Sequence, residues 1–396
     1  MTENNLINMV LWLFELVVAS WALSYGAEHL SLKYGAKFVG RTILSIATTL
    51  PEIAIVVYAA AGGDYGVALG AGLGSNLLMM TLGLSVMLII ATTKLSKAPL
   101  KGVDVSAFKL DKIFLIVTAI LSAILFIDGY NYVDGFIFAG IFIAYIMVAL
   151  YEMKAEKRKE EQASVHISNI KSRKNIPDEK KNTNSKKDLT ERTITKITTS
   201  TNNKLERNLA EVKKEDFRHM PNGFDKPMLK AILIFVAGTV GILIGAEPFI
   251  HSLEGFSIDI GVSPIILAII ISPIAGEMPE KISLMILARK GADGASIAIS
   301  NVLGSKILNN TLLLAVAVLG AMLHGGFFSI IGANTLLSYQ MVLVTIVTII
   351  ALIPMFKRKI GLKVGIMLAT LYTVSLIIQL FIPHEIASTS GINNTG

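Results

Sequence analysis

The chain has 396 residues, of which 53% are hydrophobic and 16% are charged, and its formal net charge is +7. Soluble domains carry about 25% charged residues, so this composition excludes that class and indicates an integral membrane protein. The basic excess lies in residues 153–227, so no nucleic-acid partner is expected, and the absence of cysteine excludes disulfides and thiolate metal sites.

Ten apolar segments are predicted to cross the membrane as helices, because each approaches the length of about 20 residues that spans a hydrocarbon core. In chain order they cover residues 6–28, 36–60, 65–91, 111–127, 132–152, 229–250, 262–288, 292–322, 336–356 and 361–382. The stretch "MTENNLINMV" lacks the basic start and cleavage site of a signal peptide, so we expect it to belong to the mature chain. The predicted fold class is an all-α polytopic membrane protein.

Between the fifth and sixth segments lies a polar stretch, 153–228, which is rich in Lys, Asn, Thr and Glu. It has few large apolar residues to offset the entropy lost on ordering, so a largely disordered basic linker is predicted. A folded regulatory domain is the alternative. The linker separates a first half, 1–152, from a second half, 229–396.

Charged residues alternate between the two sides of these segments. By the positive-inside rule, the side rich in Lys and Arg is cytoplasmic, which places the linker there and both termini outside. That side carries Lys33, Lys37, Lys94, Lys97, Lys101, Lys109, Lys112, Arg289, Lys290, Lys357, Arg358, Lys359 and Lys363. The other side carries Asp64, Asp128, Asp134, Glu254 and Asp259. The wealth of Ile and Lys indicates a prokaryote, and hence a multi-pass protein of the plasma membrane.

The two halves share three motifs in the same order. The pairs are "YGAEHL" (25–30) with "IGAEPF" (244–249), "ATTLPE" (47–52) with "AGEMPE" (275–280), and "GAGLGSNLLMMTL" (70–82) with "SNVLGSKILNNTL" (300–312). The repeated core regions are 39–91 and 262–322. Each half holds five segments, an odd number, so the second copy is predicted to be inverted in the membrane. Inverted repeats are typical of secondary transporters, which bind substrate near the midplane between the repeats.

Acidic side chains lie inside both copies of the Pro-Glu motif. The proline of each motif is predicted to break its helix and free backbone carbonyls, with Glu52 and Glu280 one residue beyond. Thr48 shares a helix face with Glu52, and Glu277 with Glu280. Ionisable groups inside a membrane are costly and usually functional. Carboxylate, hydroxyl and carbonyl oxygens are the ligands that calcium prefers, whereas zinc and copper would favour His or Cys.

The Gly-Ser motifs add further oxygens. Ser75 and Ser305 can offer hydroxyl groups to a cation, and Asn309 lies one turn beyond Ser305 on the same face. The first-half position that corresponds to Asn309 is Met79, which offers no hard ligand. Close helix packing explains the glycines of these motifs at least as well as a functional role does.

A Pro-Glu motif followed by a Gly-Ser motif, present twice across five plus five segments, resembles the sodium/calcium exchangers of the calcium/cation antiporter (CaCA) superfamily, prokaryotic type. The resemblance covers roughly residues 10–152 and 229–382. It implies a secondary active antiporter that exchanges Ca²⁺ for Na⁺ by alternating access and needs no cofactor. It implies cation ligation by carboxylates of Glu52, Glu280 and the additional Glu277, by side-chain oxygens of Thr48, Thr49, Ser75, Ser305 and Asn309, and by carbonyls of Ser45 and Pro273.

The second Pro-Glu motif departs from the family's usual "GTSxPE" core. Gly276 lacks a hydroxyl group, Glu277 replaces a hydroxyl with a carboxylate, and Lys306 places an ammonium group beside Ser305. We hypothesise that Lys306 or Lys281 takes the place of one monovalent ion, which would lower the sodium stoichiometry. The alternative is that these lysines pair with Glu277 or extend away from the site.

The main alternative function is a proton-coupled exchanger of Ca²⁺ or another divalent cation, because closely placed carboxylates can share a proton. Magnesium is disfavoured by its strict octahedral geometry. A channel would need a ring of acids around a symmetry axis, and no catalytic set for a membrane enzyme is evident. The expected partners are the lipid bilayer and calcium and sodium ions, and a monomer is expected.

Overall fold

The structure, a computed structural model, describes residues 2–34, 45–151 and 226–381. Internal contacts divide the chain into two compact units, which are Met1–Met147 with Pro227–Gly396, and Val148–Lys226. The first unit contains the site and the loops described below. The predicted linker, 153–228, lies outside the described residues apart from its last three positions.

The described residues form long helices in the predicted order. In the first half they are α1 (Thr2–Tyr34), α2 (Ser45–Gly62), α3 (Tyr65–Thr92), α4 (Lys109–Leu125) and α5 (Tyr132–Tyr151). In the second half they are α6 (Lys226–Ile260), α7 (Pro264–Ala288), α8 (Ala292–Gly325), α9 (Thr335–Leu352) and α10 (Leu362–Phe381). The expected end of the sixth segment at residue 250 is wrong, because polar residues end its apolar character without ending the helix.

Seven of these helices are long and apolar enough to cross a membrane, within the ranges that the structure describes: α1, α3, α5, α6, α8, α9 and α10. Two others contain shorter apolar stretches within the described residues, which are Thr49–Gly62 in α2 and Pro264–Glu277 in α7. Membrane crossing by α2, α4 and α7 stays a prediction.

Helices α3 and α8 lie at the centre of the first unit. In their most apolar stretches 83% and 61% of the residues are buried, against 22% in α5, α6 and α10. Since the outer helices expose mostly apolar side chains, lipid contact is the environment that suits them. The Gly-Ser motifs of the sequence therefore lie in the interior, where a transport site would be shielded from lipid.

The loops sort into the two groups that the charge pattern predicts. Strand β1 (Val103–Asp104), between α3 and α4, pairs antiparallel with β2 (Lys359–Ile360), between α9 and α10. The same α3–α4 loop contacts the α7–α8 turn, where Lys97 N donates to the Arg289 carbonyl at 3.3 Å. These are the basic loops, and they lie at one end of the unit.

At the opposite end, the loop that follows α4 meets the loop that follows α8. Tyr130 and Ile331 exchange backbone hydrogen bonds of 3.0 and 2.8 Å. Asp64 and Glu254 line a cavity of about 750 Å³ at this end, next to the first turns of α3 and α7. The acidic groups of the sequence thus gather at the end remote from the basic loops.

The prediction that the motif prolines break their helices is wrong. Helix α2 continues through Pro51, and α7 continues through both Pro273 and Pro279. A proline removes one intrahelical hydrogen bond, and packing against neighbouring helices can hold the backbone in place. Gly74 shows such packing, because a Cβ at this position would collide with the backbone of Ile269, one turn before Pro273.

A short π-helical turn interrupts both central helices at matched positions. It covers Met79–Gly83 in α3 and Asn309–Leu313 in α8. These turns begin at the two residues that the sequence repeat aligns with each other, Met79 and Asn309. Such turns are rare and occur frequently at functional sites. Their equivalent placement supports the proposed duplication.

Candidate cation-binding site

Three carboxyl groups and one ammonium group lie together in the interior of the first unit. They belong to Glu52 of α2, Glu277 and Glu280 of α7, and Lys306 of α8, and each residue is at most 3% exposed. Glu52 and Glu280 interact electrostatically with each other, with Glu277 and with Lys306. Acids from both copies of the Pro-Glu motif are therefore within reach of one site, as the repeat predicts.

The ammonium group of Lys306 is held by oxygens from α3 and α7. Its Nζ donates to Ser75 Oγ at 2.7 Å and forms an ion pair with Glu277. The Ser75 hydroxyl also donates to Glu277, and the amide group of Asn309 lies 2.7 Å from Ser75 Oγ. The pairing of Lys306 with Glu277, one of the alternatives raised by the sequence, is thus observed.

Glu280 is oriented by two donors from α8. Asn301 Nδ2 and Ser305 Oγ each donate to Glu280 Oε1 at 3.0 Å. The Glu277 carboxyl group lies on the preceding turn of α7 and interacts electrostatically with Glu280. Because Ser305 contacts Glu280 directly, the predicted ligands Ser305 and Glu280 lie together.

Glu52 lies on the backbone of α7. A Cβ built at Gly276 would approach Glu52 Oε1 at 2.6 Å and Cδ at 2.7 Å, so the missing side chain leaves the space that the carboxyl group fills. Among the described residues, no donor reaches the buried Oε2 of Glu52. A buried oxygen without a hydrogen bond is energetically costly. This oxygen is therefore available to bind a cation.

The second lysine of the site region contacts a predicted carbonyl ligand. Lys281 Nζ donates to the Pro273 carbonyl at 3.3 Å, two turns earlier on α7. The interaction keeps this ammonium group beside the cluster, where it interacts electrostatically with Glu277, Glu52 and Glu280. The Pro273 carbonyl is therefore engaged by the chain itself.

The structure describes the other predicted ligands less completely. Thr49 is buried, at 3% exposed, one turn before Glu52. Ser45 and Thr48 lie in the first turn of α2, and their side chains are outside what the structure describes. Met79, for which no ligand role is expected, is fully buried in the apolar core that surrounds α3.

Sequence reasoning missed three amide side chains. Asn301 contacts Glu280 as described above, and Asn76 Nδ2 donates to Asn310 Oδ1 at 2.6 Å across the α3–α8 interface. The signal was present, because all three amides lie within the repeated Gly-Ser motifs. Amides inside apolar helices need partners, and this requirement predicts contacts between the motifs.

The acids alone do not complete a metal site. In the part of the chain that the structure describes, no group of three or more His, Cys, Asp or Glu side chains could hold a metal ion. A calcium ion takes about six to eight oxygens, so hydroxyl, amide and carbonyl groups would have to supply the remainder. The hydroxyl groups of Ser75 and Ser305, which contact Glu277 and Glu280, lie nearby to do so.

The site residues are not exposed at the acidic end of the unit. The cavity near Asp64 and Glu254 is lined by residues of the α2–α3 turn, α6, α7 and the α8–α9 loop. None of the three carboxyl groups of the cluster belongs to that lining. The cluster is thus closed to this cavity in the present conformation.

Comparison with known proteins identifies the family. The family model described as sodium/calcium exchanger protein matches two segments, residues 5–151 and 230–381. The chain belongs to this family. The two matched segments coincide with the two halves of the sequence repeat, and the resemblance noted from the motifs is confirmed. Members of such a family are transporters and not enzymes.

Similar proteins support the same fold. An uncharacterized membrane protein of Methanocaldococcus jannaschii is 20% identical over 353 residues, which cover 89% of this chain and 90% of that protein. The H⁺/Ca²⁺ exchanger CAX matches with a TM-score of 0.67 at 16% identity, over 95% of this chain and 86% of that chain. The sodium-calcium exchanger NCX_Mj matches with a TM-score of 0.55 at 19% identity, over 95% and 99% of the two chains. The predicted polytopic all-α membrane fold is confirmed.

Proposed function

We propose that this protein exchanges Ca²⁺ for Na⁺ across the membrane by alternating access at the buried cluster of Glu52 and Glu280. The observation that carries the proposal is the meeting of these two acids, one from each copy of the repeated motif, in the interior. Family membership supports cation antiport as the class of activity. The choice of sodium as the coupling ion rests on the motif resemblance.

Calcium suits the oxygens of this cluster. Glu52 supplies an oxygen that no donor among the described residues reaches, and Glu280 is oriented by Asn301 and Ser305. Calcium accepts six to eight oxygens in adaptable geometry, at roughly 2.3–2.6 Å. In this proposal Thr48, Thr49 and backbone carbonyls complete its coordination.

The arrangement in the cell follows from the charge pattern. The basic loops lie at one end of the first unit, which we assign to the cytoplasm by the positive-inside rule. In a plasma membrane, this orientation places both termini outside the cell and the 153–228 segment on the cytoplasmic side. Both half-sites belong to one chain, so a monomer would suffice for transport.

Uptake of radioactive calcium into proteoliposomes tests the proposal. An outward sodium gradient should drive uptake, and Glu52→Gln or Glu280→Gln should abolish it. Glu247→Gln is the matched control, because Glu247 is exposed on α6, and it should leave uptake unchanged. Absence of calcium uptake in the wild-type protein under any cation gradient would refute the proposal.

Proton coupling is the second candidate. The observation that favours it is the burial of the Glu277 and Glu280 carboxyl groups on adjacent turns of α7, where they interact electrostatically and can share a proton. An outward proton gradient, applied without sodium, is therefore the second arm of the same experiment. Uptake driven by protons alone would replace sodium as the coupling ion and leave the calcium site in place.

A further inference from the structure

We propose that the Lys306 ammonium group permanently occupies one monovalent-cation position of the site, so that the exchanger binds one coupling cation fewer than its oxygens could hold. The inference rests on the proposed function and adds to it a residue that sets the ion stoichiometry. It concerns a fixed positive charge and not a gain or loss of protons.

The contacts of Lys306 are those expected for a bound cation. Its Nζ donates to the Ser75 hydroxyl and pairs with the Glu277 carboxylate, and the Asn309 amide contacts the same Ser75 hydroxyl. Ser75 and Asn309 come from the two Gly-Ser motifs, and the sequence predicts both as cation ligands. The residue is 1% exposed, so the side chain does not extend away to the membrane surface. A sodium ion at these oxygens would overlap the ammonium group.

The sequence repeat shows that the lysine at this motif position occurs in one half of the chain only. Lys306 corresponds to Asn76, since "GLGSN" aligns with "VLGSK". Asn76 is neutral and contacts another amide, Asn310, instead of an acid. The two half-sites are therefore unequal, with a built-in positive charge in the second half only.

The extra carboxylate balances the extra ammonium group. Glu277 stands where the family usually has a hydroxyl group, and it forms the ion pair with Lys306. Buried ammonium groups need such a partner, because removal from water is costly for an unpaired charge. A pair that served packing alone would not need Ser75, a predicted cation ligand, as an additional partner of both charged groups. The contacts of Ser75 therefore favour the replacement of an ion by the ammonium group.

The ion stoichiometry of transport tests this inference. Calcium accumulation is measured at zero membrane voltage across a range of sodium gradients, and the slope gives the number of sodium ions per calcium ion. In Lys306→Asn that number should rise by one, so a tenfold sodium gradient should support an accumulation ratio about tenfold larger than in wild type. An unchanged slope in Lys306→Asn would overturn the inference.

Two further variants separate ion replacement from a structural role of the pair. Glu277→Gln breaks the same ion pair but leaves the ammonium group in place. Its number of sodium ions per calcium ion should therefore equal that of wild type, whatever its transport rate. Equal changes of slope in Glu277→Gln and Lys306→Asn would overturn the inference. The double variant Glu277→Ser with Lys306→Asn avoids an unpaired buried carboxylate, and its number of sodium ions per calcium ion should also rise by one. This variant provides the test if Lys306→Asn alone does not fold.

Equilibrium binding of radioactive sodium to purified protein provides a readout that does not depend on transport. Lys306→Asn should bind one sodium ion more per chain than wild type, and Lys290→Met, an exposed lysine, should bind the same number. Absence of calcium flux in wild type would refute the proposed function alone. Equal sodium binding by wild type and Lys306→Asn would refute the present inference alone.

Discussion

The carboxyl group of Glu52 lies directly over the α-carbon of Gly276, where a Cβ would come within 2.6 Å of Oε1. Glu52 belongs to the first copy of the Pro-Glu motif and Gly276 to the second. The absence of a side chain at Gly276 therefore does more than remove a hydroxyl ligand. It allows one acid of the first half to pack on the helix that carries the acids of the second half.

We expect Gly276→Ala to weaken calcium binding about tenfold, because crowding of a tightly packed site typically costs about 1–3 kcal/mol. The methyl group would displace the Glu52 carboxyl from its position on α7. Calcium titration of the purified protein by calorimetry measures the effect. Gly140→Ala in α5 is the matched control, since a Cβ there meets nothing within 4 Å. Equal calcium affinity in both variants would contradict this account of the Glu52 position.

The amide of Asn301 orients Glu280, so its removal should lower calcium affinity. Asn301→Ala deletes a 3.0 Å hydrogen bond to Glu280 Oε1. A hydrogen bond of this type contributes about 0.5–1.5 kcal/mol, which corresponds to a loss of roughly twofold to tenfold in affinity. The measurement is the calcium concentration at half-maximal uptake. Thr370→Ala, at an exposed position on α10, should leave it unchanged.

Lys112 should stabilise the fold and not the cation site. Its buried Nζ donates to the carbonyls of Val105 and Met355 at 2.8 and 2.7 Å, and so joins two basic loops. Lys112→Met would leave both carbonyls without this donor and destabilise the protein by about 1–3 kcal/mol. Thermal unfolding in detergent should show a lower Tm, with Lys109→Met, an exposed neighbour, as the control. A Tm equal to that of the control would show that water replaces the ammonium group without cost.

Tyr130 should make stability depend on high pH. Burial raises the pKa of its phenol above the ordinary value, and the nearby Asp134 raises it further. In the unfolded chain this group ionises near pH 10, so the stability it contributes is complete below that pH and is lost as the pH rises above it. Tm should therefore fall more steeply above about pH 10 in wild type than in Tyr130→Phe. The neutral-pH cost of Tyr130→Phe, about 1 kcal/mol, comes from the lost 2.8 Å bond to the Ser122 carbonyl. Parallel pH profiles for the two proteins would contradict the prediction.

The helices and the composition of the site follow from local properties of the sequence. Apolar runs predict the positions of the helices, since the cost of exposing backbone groups to lipid leaves few other conformations. The repeated motifs likewise predict that Glu52 and Glu280 lie near each other, because matched positions of an inverted repeat meet at its axis. The charge pattern predicts which loops lie together, and the pairing of β1 with β2 agrees with it.

The partners of the site residues were decided by the tertiary structure. Helical periodicity predicts the helix face on which Glu277 and Lys306 each lie. It does not predict which group of a neighbouring helix each side chain contacts. That choice depends on the rotation and spacing of α3, α7 and α8, which are set by close contacts such as that of Gly74 with Ile269. For this reason the sequence by itself identified the acids, hydroxyls and unusual lysines of the site. Only the packed helices show that Lys306 binds Glu277 and Ser75, and that Glu52 rests on Gly276, because side chains far apart in the chain acquire partners only when their helices dock.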